Sequence, residues 1–133
     1  MMSHELHLDP VNIINGGSSR EFGRLSVNSL LADKERPSAL IAYNDLVAIG
    51  IMDAIRAAGL RVGEDIAVIG YDDIPEATNQ PVPLTSVATP ASKLGEMVGQ
   101  ALQSWSFDRT DAANPLDITY PPRLIIRESC GGA

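Results

Sequence analysis

The chain has 133 residues, of which 44% are hydrophobic and 20% charged, a composition typical of one soluble globular domain. Its net charge is −7 and its 10 Lys and Arg residues are scattered, so we expect no direct contact with nucleic acid. It has neither a run of about 18 apolar residues nor a start typical of a signal peptide, which favours a cytoplasmic protein without membrane contact. The single cysteine, Cys130, cannot form an internal disulfide and is expected in a frayed C-terminal tail.

Strand-like and helix-like segments alternate along the first half of the chain. Residues 10–15 predict a short strand, and residues 20–32 predict a helix that begins after a Gly-Gly-Ser-Ser turn. The continuous apolar run over 39–43 is typical of a strand that is buried on both faces of a parallel sheet. Asp45 is expected to cap the next helix, over 46–58, which a glycine ends.

The second half of the chain continues this alternation. Residues 66–71 form another continuous apolar run, and the proline-punctuated stretch 74–90 contains a short extended piece at 84–87. Six apolar residues then recur with helical spacing and predict an amphipathic helix over 92–105. They are Leu94, Met97, Val98, Ala101, Leu102 and Trp105. A last short strand is expected at 124–126.

This order of elements predicts an α/β fold, a three-layer Rossmann-like parallel sheet that is flanked by helices and joined by right-handed crossovers. Ligands bind such sheets beyond the carboxyl ends of the strands. Asn44 and Asp45 follow the first buried strand, and Asp72 and Asp73 follow the second. The fold therefore nominates this end of the sheet as the candidate site. From the pattern alone, the last two aspartates fit carboxylates that hydrate a turn at least as well as ligand contacts.

Catalytic alternatives fit the residues poorly. The three aspartates at the strand ends could hold Mg²⁺ in a phospho-acceptor α/β domain, but the first predicted strand ends without an acidic pair and no lysine follows a late strand. The chain has no dinucleotide-binding glycine motif and no Walker loop. The two histidines, His4 and His7, lie in the N-terminal segment, away from the predicted globular part. We therefore expect no enzymatic activity, no cofactor and no metal site.

Four segments carry a resemblance to a known family. They are residues 37–50 (PSALIAYNDLVAIG), 66–74 (IAVIGYDDI), 83–87 (PLTSV) and 123–129 (RLIIRES). Together and in this order they resemble the C-terminal part of the effector-binding domain of LacI/GalR-type transcriptional repressors. The resemblance implies one lobe of a periplasmic-binding-protein-like fold, which closes with a second lobe on a small-molecule effector. A transport-type sugar-binding protein of the same fold is the alternative, and it would need an export signal.

The resemblance also implies which residues bind the effector. Asn44 and Asp72 would hydrogen-bond sugar hydroxyls, since an amide both donates and accepts and a carboxylate accepts two donors. Thr89 lies at the crossover between the lobes and would add a polar contact. Ser18 stands where many members place an aromatic residue that stacks on the ligand. The implied effector is a sugar or a related small molecule.

The resemblance divides the chain between two lobes. Residues 8–87 and 123–129 would form the core of the C-terminal lobe, and 90–117 would belong to an N-terminal lobe that is otherwise absent, as is the helix-turn-helix that binds operator DNA. The amphipathic helix 92–105 would then lack its usual partner. We expect its apolar stripe to pack back on this domain or to pair with another chain.

A subunit interface is the remaining prediction. In the helix over 46–58, Leu46, Ile49 and Asp53 lie opposite the stripe that is expected to face the sheet, so two apolar side chains would point outward. The resemblance implies a homodimer contact at this helix. Scattered surface hydrophobic residues are the alternative, because single exposed Leu or Ile residues are common.

Overall fold

The computed structural model of the chain describes residues 10–33, 35–104 and 119–132. His4, His7, Trp105 and the part of the predicted 90–117 segment that follows residue 104 lie outside these ranges. The elements, in chain order, are a 3₁₀ turn at Pro10–Asn12, α1 (Arg20–Ser26), α2 (Asn28–Ala32), β1 (Ala39–Ile41), α3 (Asp45–Ala57), β2 (Ala67–Asp72), α4 (Pro75–Thr78), β3 (Thr85–Ala88), α5 (Ala91–Ser104), β4 (Arg123–Ile125) and a 3₁₀ turn at Glu128–Cys130.

The four strands form one sheet in the order β1-β2-β3-β4. β1 pairs with β2 and β2 with β3 in parallel, whereas β4 is antiparallel to β3. The predicted α/β fold with flanking helices is confirmed, but the sheet is mixed. Ala88, the last residue of β3, pairs with Arg123, the first residue of β4, so β4 begins at the carboxyl end of β3 and must run in the opposite direction.

The segment 10–15, predicted as a strand, is a 3₁₀ turn followed by irregular backbone, so this prediction is wrong. Ile13 and Ile14 are largely exposed. β1 is one of the two edge strands of the sheet among the described residues, and Ile41 on it is 82% exposed. A strand needs a neighbour for its backbone hydrogen bonds, and an apolar pattern in the sequence does not say whether that neighbour is present.

Helix α3 is the centre of the hydrophobic core. Its N-cap is Asn44, whose Oδ1 accepts a hydrogen bond from the Val47 N–H at 2.8 Å, so the prediction that Asp45 caps the helix is wrong. Ile49, predicted to point outward, is 1% exposed and belongs to the core, so that orientation is wrong as well. The prediction assumed that only the sheet covers α3, whereas α1 packs against it in addition to β2.

Two glycines allow α1 and α3 to approach closely. A Cβ atom on Gly50 of α3 would overlap the carbonyl oxygen of Arg20, and one on Gly23 of α1 would overlap the carbonyl oxygen of Val47. Backbone therefore lies against backbone at this crossing. Arg20 on α1 also donates a hydrogen bond from Nε to Asp53 of α3 at 2.6 Å, which fixes the two helices at the edge of their contact.

The predicted amphipathic helix exists as α5, but it does not pack back on the domain. Leu94, Val98 and Leu102 on its apolar stripe are 40%, 58% and 61% exposed. The same helix contacts the segment before β4, since the Tyr120 hydroxyl donates to Met97 Sδ at 2.8 Å. The stripe is therefore not covered by this domain, and its pairing with another chain, the other half of the expectation, stays a prediction. Among the described helices, none combines the length and the apolar character needed to cross a membrane.

The C-terminal segment is part of the fold and is not a frayed tail. Ser129 is fully buried, and its hydroxyl donates to the Val68 carbonyl at 2.6 Å and accepts from the Thr85 N–H at 2.8 Å. Cys130 is half-buried next to it, so the expectation of a frayed-tail thiol is wrong. The 3₁₀ turn thus ties the end of the chain to both β2 and β3.

The close approach of α1 and α3 predicts that Gly50→Ala destabilises the domain. A glycine-to-alanine change inside a helix normally stabilises by about 0.5–1 kcal/mol. At Gly50 the added methyl group overlaps the backbone of α1, and overpacking of this kind costs about 1–3 kcal/mol. Urea unfolding followed by circular dichroism measures the effect. Gly99→Ala in α5 is the matched control, because a Cβ there meets no atom within 4 Å. Equal effects of the two changes would contradict the packing described.

Candidate functional site

The carboxyl edge of the sheet gathers the predicted ligand-binding residues. Asn44 follows β1, Asp72 ends β2 and Thr89 follows β3. β2 and β3 are parallel and Asp72 pairs with Ala88, so Thr89 lies directly beyond the neighbouring strand end. Ser18 reaches the same edge from the segment before α1, because its carbonyl oxygen accepts a hydrogen bond from Asn44 Nδ2 at 3.2 Å. The structure therefore brings all four residues to the carboxyl ends of the parallel strands.

The side-chain amide of Asn44 already has two roles in the fold. Its Oδ1 caps α3, and its Nδ2 holds the loop that carries Ser18. An amide group offers two N–H donors and an oxygen with two lone pairs. One N–H and one lone pair of Asn44 thus stay available to a ligand, and the side chain is partly exposed. The orientation of the group is fixed before a ligand arrives.

Asp72 and Asp73 form a turn with unusual backbone geometry. Their φ angles are 107° and 52°, which lie in the left-handed region that favours glycine. Asp72 is exposed, and its carboxylate has no hydrogen bond to any other described residue. The turn therefore presents one carboxylate, with its acceptor positions open, at the edge where β2 ends.

Asp73 is held by an arginine that the sequence analysis did not single out. Arg127 Nη2 donates to Asp73 Oδ1 at 2.7 Å, and Nη1 donates to the Leu84 carbonyl at 2.6 Å. The two charged side chains are only 17% and 24% exposed. Asp73 is thus structural, and Arg127 links the end of the chain to the turn. The partners are 54 residues apart, so no local pattern could have identified the pair.

Asp45, which was expected to cap α3, instead makes buried hydrogen bonds beneath the Asp72–Asp73 turn. It is fully buried, and its Oδ1 accepts the Ser86 hydroxyl at 2.6 Å while Oδ2 accepts the Ile74 N–H at 2.9 Å. The Ser86 Oγ in turn accepts the Asp73 N–H at 3.0 Å. Ser86 was missed in the sequence, where the only signal is a hydroxyl inside an otherwise buried strand.

The environment of Asp45 raises the pKa of its carboxyl above the ordinary value of 3.8. Burial is the main cause, because it disfavours the charged form. The hydrogen bonds from Ser86 and from the Ile74 N–H act in the opposite direction, and the nearby charges of Asp72 and Asp73 raise the pKa further. The net direction is upward.

The donor set at this edge does not suit a metal ion. Asp45 uses both of its oxygens in hydrogen bonds within the protein, and Asp73 is neutralised by Arg127. Within the described ranges, no three His, Cys, Asp or Glu side chains are arranged to hold a metal. The geometry thus gives no support to the Mg²⁺ phospho-acceptor alternative.

The candidate site is an open edge and not an enclosed cavity. Two surface depressions, of about 290 and 280 Å³, lie elsewhere in the molecule. The first is lined by residues of α2 and the end of α3, and the second lies between Gly63 and Gly131. Neither contains a predicted ligand-binding residue. Sites for small molecules usually bury most of the ligand, so this edge can form only one wall of such a site.

The family of the domain follows from comparison with known proteins. A model of the periplasmic binding protein-like domain matches residues 2–130. The chain belongs to this family. Membership confirms the predicted fold class, in which a sheet flanked by helices places polar residues at the carboxyl ends of its strands.

Curated relatives of this periplasmic binding protein-like domain are transcriptional repressors. The chain is 39% identical over 100 residues to the arabinose metabolism transcriptional repressor of Geobacillus stearothermophilus, covering 72% of this chain and 26% of that protein. It is 34% identical over 132 residues to the HTH-type transcriptional repressor PurR of Haemophilus influenzae, covering 97% of this chain and 39% of that protein. The chain therefore spans well under half the length of these curated relatives.

Solved structures of LacI-type regulators share the fold. A regulatory protein of the LacI family from Chloroflexus aggregans superposes with a TM-score of 0.76 at 33% identity, covering 94% of this chain and 44% of that one. The lac repressor dimer bound to operator and the anti-inducer ONPF superposes with a TM-score of 0.72 at 32% identity, covering 84% of this chain and 33% of that one. A LacI family regulator from Lactobacillus casei with bound glucose superposes with a TM-score of 0.65 at 29% identity, covering 84% of this chain and 40% of that one. The predicted resemblance to LacI-type repressors is confirmed, and transport proteins or enzymes are not favoured.

The buried carboxyl of Asp45 predicts a distinctive pH dependence of stability. Because its pKa is raised in the folded state, its contribution to stability is present below pH 3.8 and is lost as the pH rises through the folded pKa. The free energy of unfolding of the wild type, minus that of Asp45→Asn, should therefore fall as the pH rises through this window. Urea unfolding of both proteins between acidic and neutral pH measures the difference.

The control for this pH dependence is Asp53→Asn, for which the opposite slope is expected. Partial burial by itself would raise the pKa of Asp53, but the hydrogen bonds from Arg20 and Arg56 outweigh it and the pKa lies below 3.8. The stability from Asp53 is thus present above pH 3.8 and is lost as the pH falls through the folded pKa. If the difference in free energy of unfolding between wild type and variant changed with pH in the same direction for Asp45→Asn and Asp53→Asn, the pKa shifts described for the two carboxyls would be contradicted.

Proposed function

We propose that the chain is the effector-sensing portion of a LacI-type transcriptional regulator, and that a sugar or a related small molecule binds at the carboxyl edge of its sheet. The observation that carries the proposal is the exposed carboxylate of Asp72 at the end of β2, the strand that pairs in parallel with β1, after which the fixed amide of Asn44 follows. Its relatives regulate transcription, and one of the similar regulators was solved with bound glucose.

The chemistry of this edge suits a neutral polyol. The Asp72 carboxylate can accept two hydroxyl donors, and hydrogen bonds to a charged group are about twice as strong as neutral ones. Asn44 can donate one N–H and accept one O–H, and Thr89 can add its hydroxyl from the end of β3. Ser18 is exposed and small, so it offers a polar contact instead of an aromatic stacking surface. All of these groups bind without reacting, and no catalytic step is proposed.

In the proposed division of the chain, residues 8–87 and 123–129 form the core of one lobe and 90–117 belong to the other. The exposed apolar stripe of α5 supports this division, because a stripe of this kind in a folded protein is normally covered. The rest of the second lobe and the DNA-binding module would lie outside this chain, which covers 39% of PurR from Haemophilus influenzae. Contact with operator DNA and a cytoplasmic location are proposed for that longer protein.

A homodimer contact is proposed at the start of α3, around the exposed side chain of Leu46. Leu46 and Asp53 are seven residues apart, which places them on the same side of a helix. Leu46 is 45% exposed, whereas the Asp53 side chain, held by Arg20 of α1 and by Arg56, is only 20% exposed and can contribute at most the border of the contact. Ile49 lies in the core and does not contribute to this exposed surface.

Binding at the sheet edge predicts that Asp72→Asn weakens the effector site. Loss of the charged acceptor should cost about 1.5–3 kcal/mol, which lowers the affinity at least about tenfold. The measurement is a thermal-shift titration with D-glucose, L-arabinose and D-ribose, with glycerol as a small polyol of lower specificity. A bound ligand increases the free energy of unfolding by RT ln(1 + [L]/Kd) and thereby raises the melting temperature, so a weak half-site is detectable at high concentration.

Asp33→Asn, an exposed carboxylate beyond α2, is the matched control for the titration and should leave the shift unchanged. A sugar-dependent shift that survives in Asp72→Asn would place binding elsewhere on the molecule. A wild type that gives no shift with any of the three sugars would contradict sugar binding by this chain.

The proposed dimer contact predicts that Leu46→Lys shifts the chain toward the monomer. A charged side chain at the centre of an apolar contact must be desolvated, so association should weaken at least about tenfold. Sedimentation velocity over a range of concentrations measures the change. Leu124→Lys on β4 is the control, because Leu124 is similarly exposed, at 51%, and lies on the edge strand opposite β1. A wild type that remains monomeric, or two variants that behave alike, would exclude a contact at Leu46.

A further inference from the structure

The backbone of the Asp72–Asp73 turn needs support from outside the turn. Both residues have positive φ angles, 107° and 52°, although neither is glycine. Such conformations are sparsely populated and persist only where surrounding contacts over-determine them. In the free chain the exposed carboxylate of Asp72 does not supply these contacts, so they must come from other elements.

We propose that Asp45 and Ser86 are positioning residues that hold the Asp72–Asp73 turn in the shape that binds the effector. The pair binds the two backbone N–H groups that follow Asp72. The Ile74 N–H donates to Asp45 Oδ2 at 2.9 Å, and the Asp73 N–H donates to Ser86 Oγ at 3.0 Å. The Ser86 hydroxyl donates to Asp45 Oδ1 at 2.6 Å and joins the two contacts into one network. This inference rests on the proposed function of the same site.

The network lies in the buried interior between α3 and β3. Asp45 and Ser86 are both fully buried, one at the start of α3 and the other on β3, so neither side chain can follow a movement of the turn. Gly70 on β2 leaves the space that the Asp45 carboxylate fills, because a Cβ there would overlap Oδ1. Arg127 holds the Asp73 side chain as a further contact. Asp72 alone in the turn stays open to a ligand.

The chemistry of the network explains why an aspartate is used at position 45. Two donors, the Ser86 O–H and the Ile74 N–H, point at the two oxygens of one carboxylate. An asparagine has only one acceptor oxygen, so it can satisfy only one of these donors in the same geometry. Alanine at position 86 removes both the donor to Asp45 and the acceptor for the Asp73 N–H. The two substitutions therefore loosen the turn at different points.

A control variant separates positioning from general stability. Ser129 is a fully buried serine like Ser86, and its hydroxyl also makes one donated and one accepted hydrogen bond, to Val68 and Thr85. These contacts lie toward the beginning of β2 and β3, away from the turn. Ser129→Ala should therefore destabilise the domain through a comparable loss without changing the turn.

The experiment compares Ser86→Ala, Asp45→Asn and Ser129→Ala with the wild type by two readouts. Hydrogen exchange of the Asp73 and Ile74 amides, measured by NMR, reports the turn without any ligand. Affinity for D-glucose, L-arabinose and D-ribose, measured by NMR titration, reports the site. In Ser86→Ala and Asp45→Asn we expect the exchange of these amides to accelerate at least about tenfold more than that of the core amides of α3, and the affinity to fall at least about tenfold.

The outcomes distinguish this inference from the proposed function. Faster exchange and weaker binding in the two turn variants, with neither change in Ser129→Ala, support positioning. Amide exchange that is unchanged in Ser86→Ala and Asp45→Asn overturns it, whether or not a sugar binds. Affinity that stays at the wild-type value while exchange accelerates also overturns it, because the turn would then not limit binding. If the wild type binds none of the sugars, the proposed sugar site fails, and positioning for that site falls with it even where exchange accelerates.

Discussion

The buried carboxylate of Asp45 is the interaction on which the carboxyl edge of the sheet depends. It joins the start of α3 to β3 through Ser86 and to the segment after β2 through the Ile74 N–H. Burial of a polar group without partners is costly, so the folded state requires both partners to stay in place. The same hydrogen bonds therefore contribute both to the stability of the core and to the shape of the candidate site.

The domain leaves two apolar surfaces and the candidate site uncovered among the described residues. The outer edge of β1 and the stripe of α5 are both apolar and uncovered among the described residues, with Ile41 82% and Leu102 61% exposed. The candidate site is likewise one open wall, whereas ligand sites usually enclose most of their ligand. These features agree with a chain that spans 39% of one curated relative and 26% of another. In the proposed function, the second lobe would complete the site and cover the apolar stripe of α5.

The errors of the sequence analysis share one physical cause. Residues 10–15 have the pattern of a strand but pair with none of the described strands. The sequence pattern of α3 predicts an outward Ile49 because it carries no signal for the packing of α1 on α3. The helix over 92–105 was predicted correctly as a helix, but its environment was not. Each failure concerns what an element packs against, which depends on residues distant in the sequence or outside the chain.

The sequence by itself determined the alternation of buried strands and helices, and with it the side of the sheet on which Asn44 and Asp72 stand. Hydrophobic periodicity and chain direction are local properties, so both could be recognised from neighbouring residues. Only the tertiary structure decided that Asn44 caps α3, that Asp45 binds Ser86 and that Arg127 binds Asp73. The last two pairs are separated by 41 and 54 residues, and a hydrogen bond over such a distance leaves no periodic signal in the sequence. Burial and backbone geometry in the folded sheet select these partners.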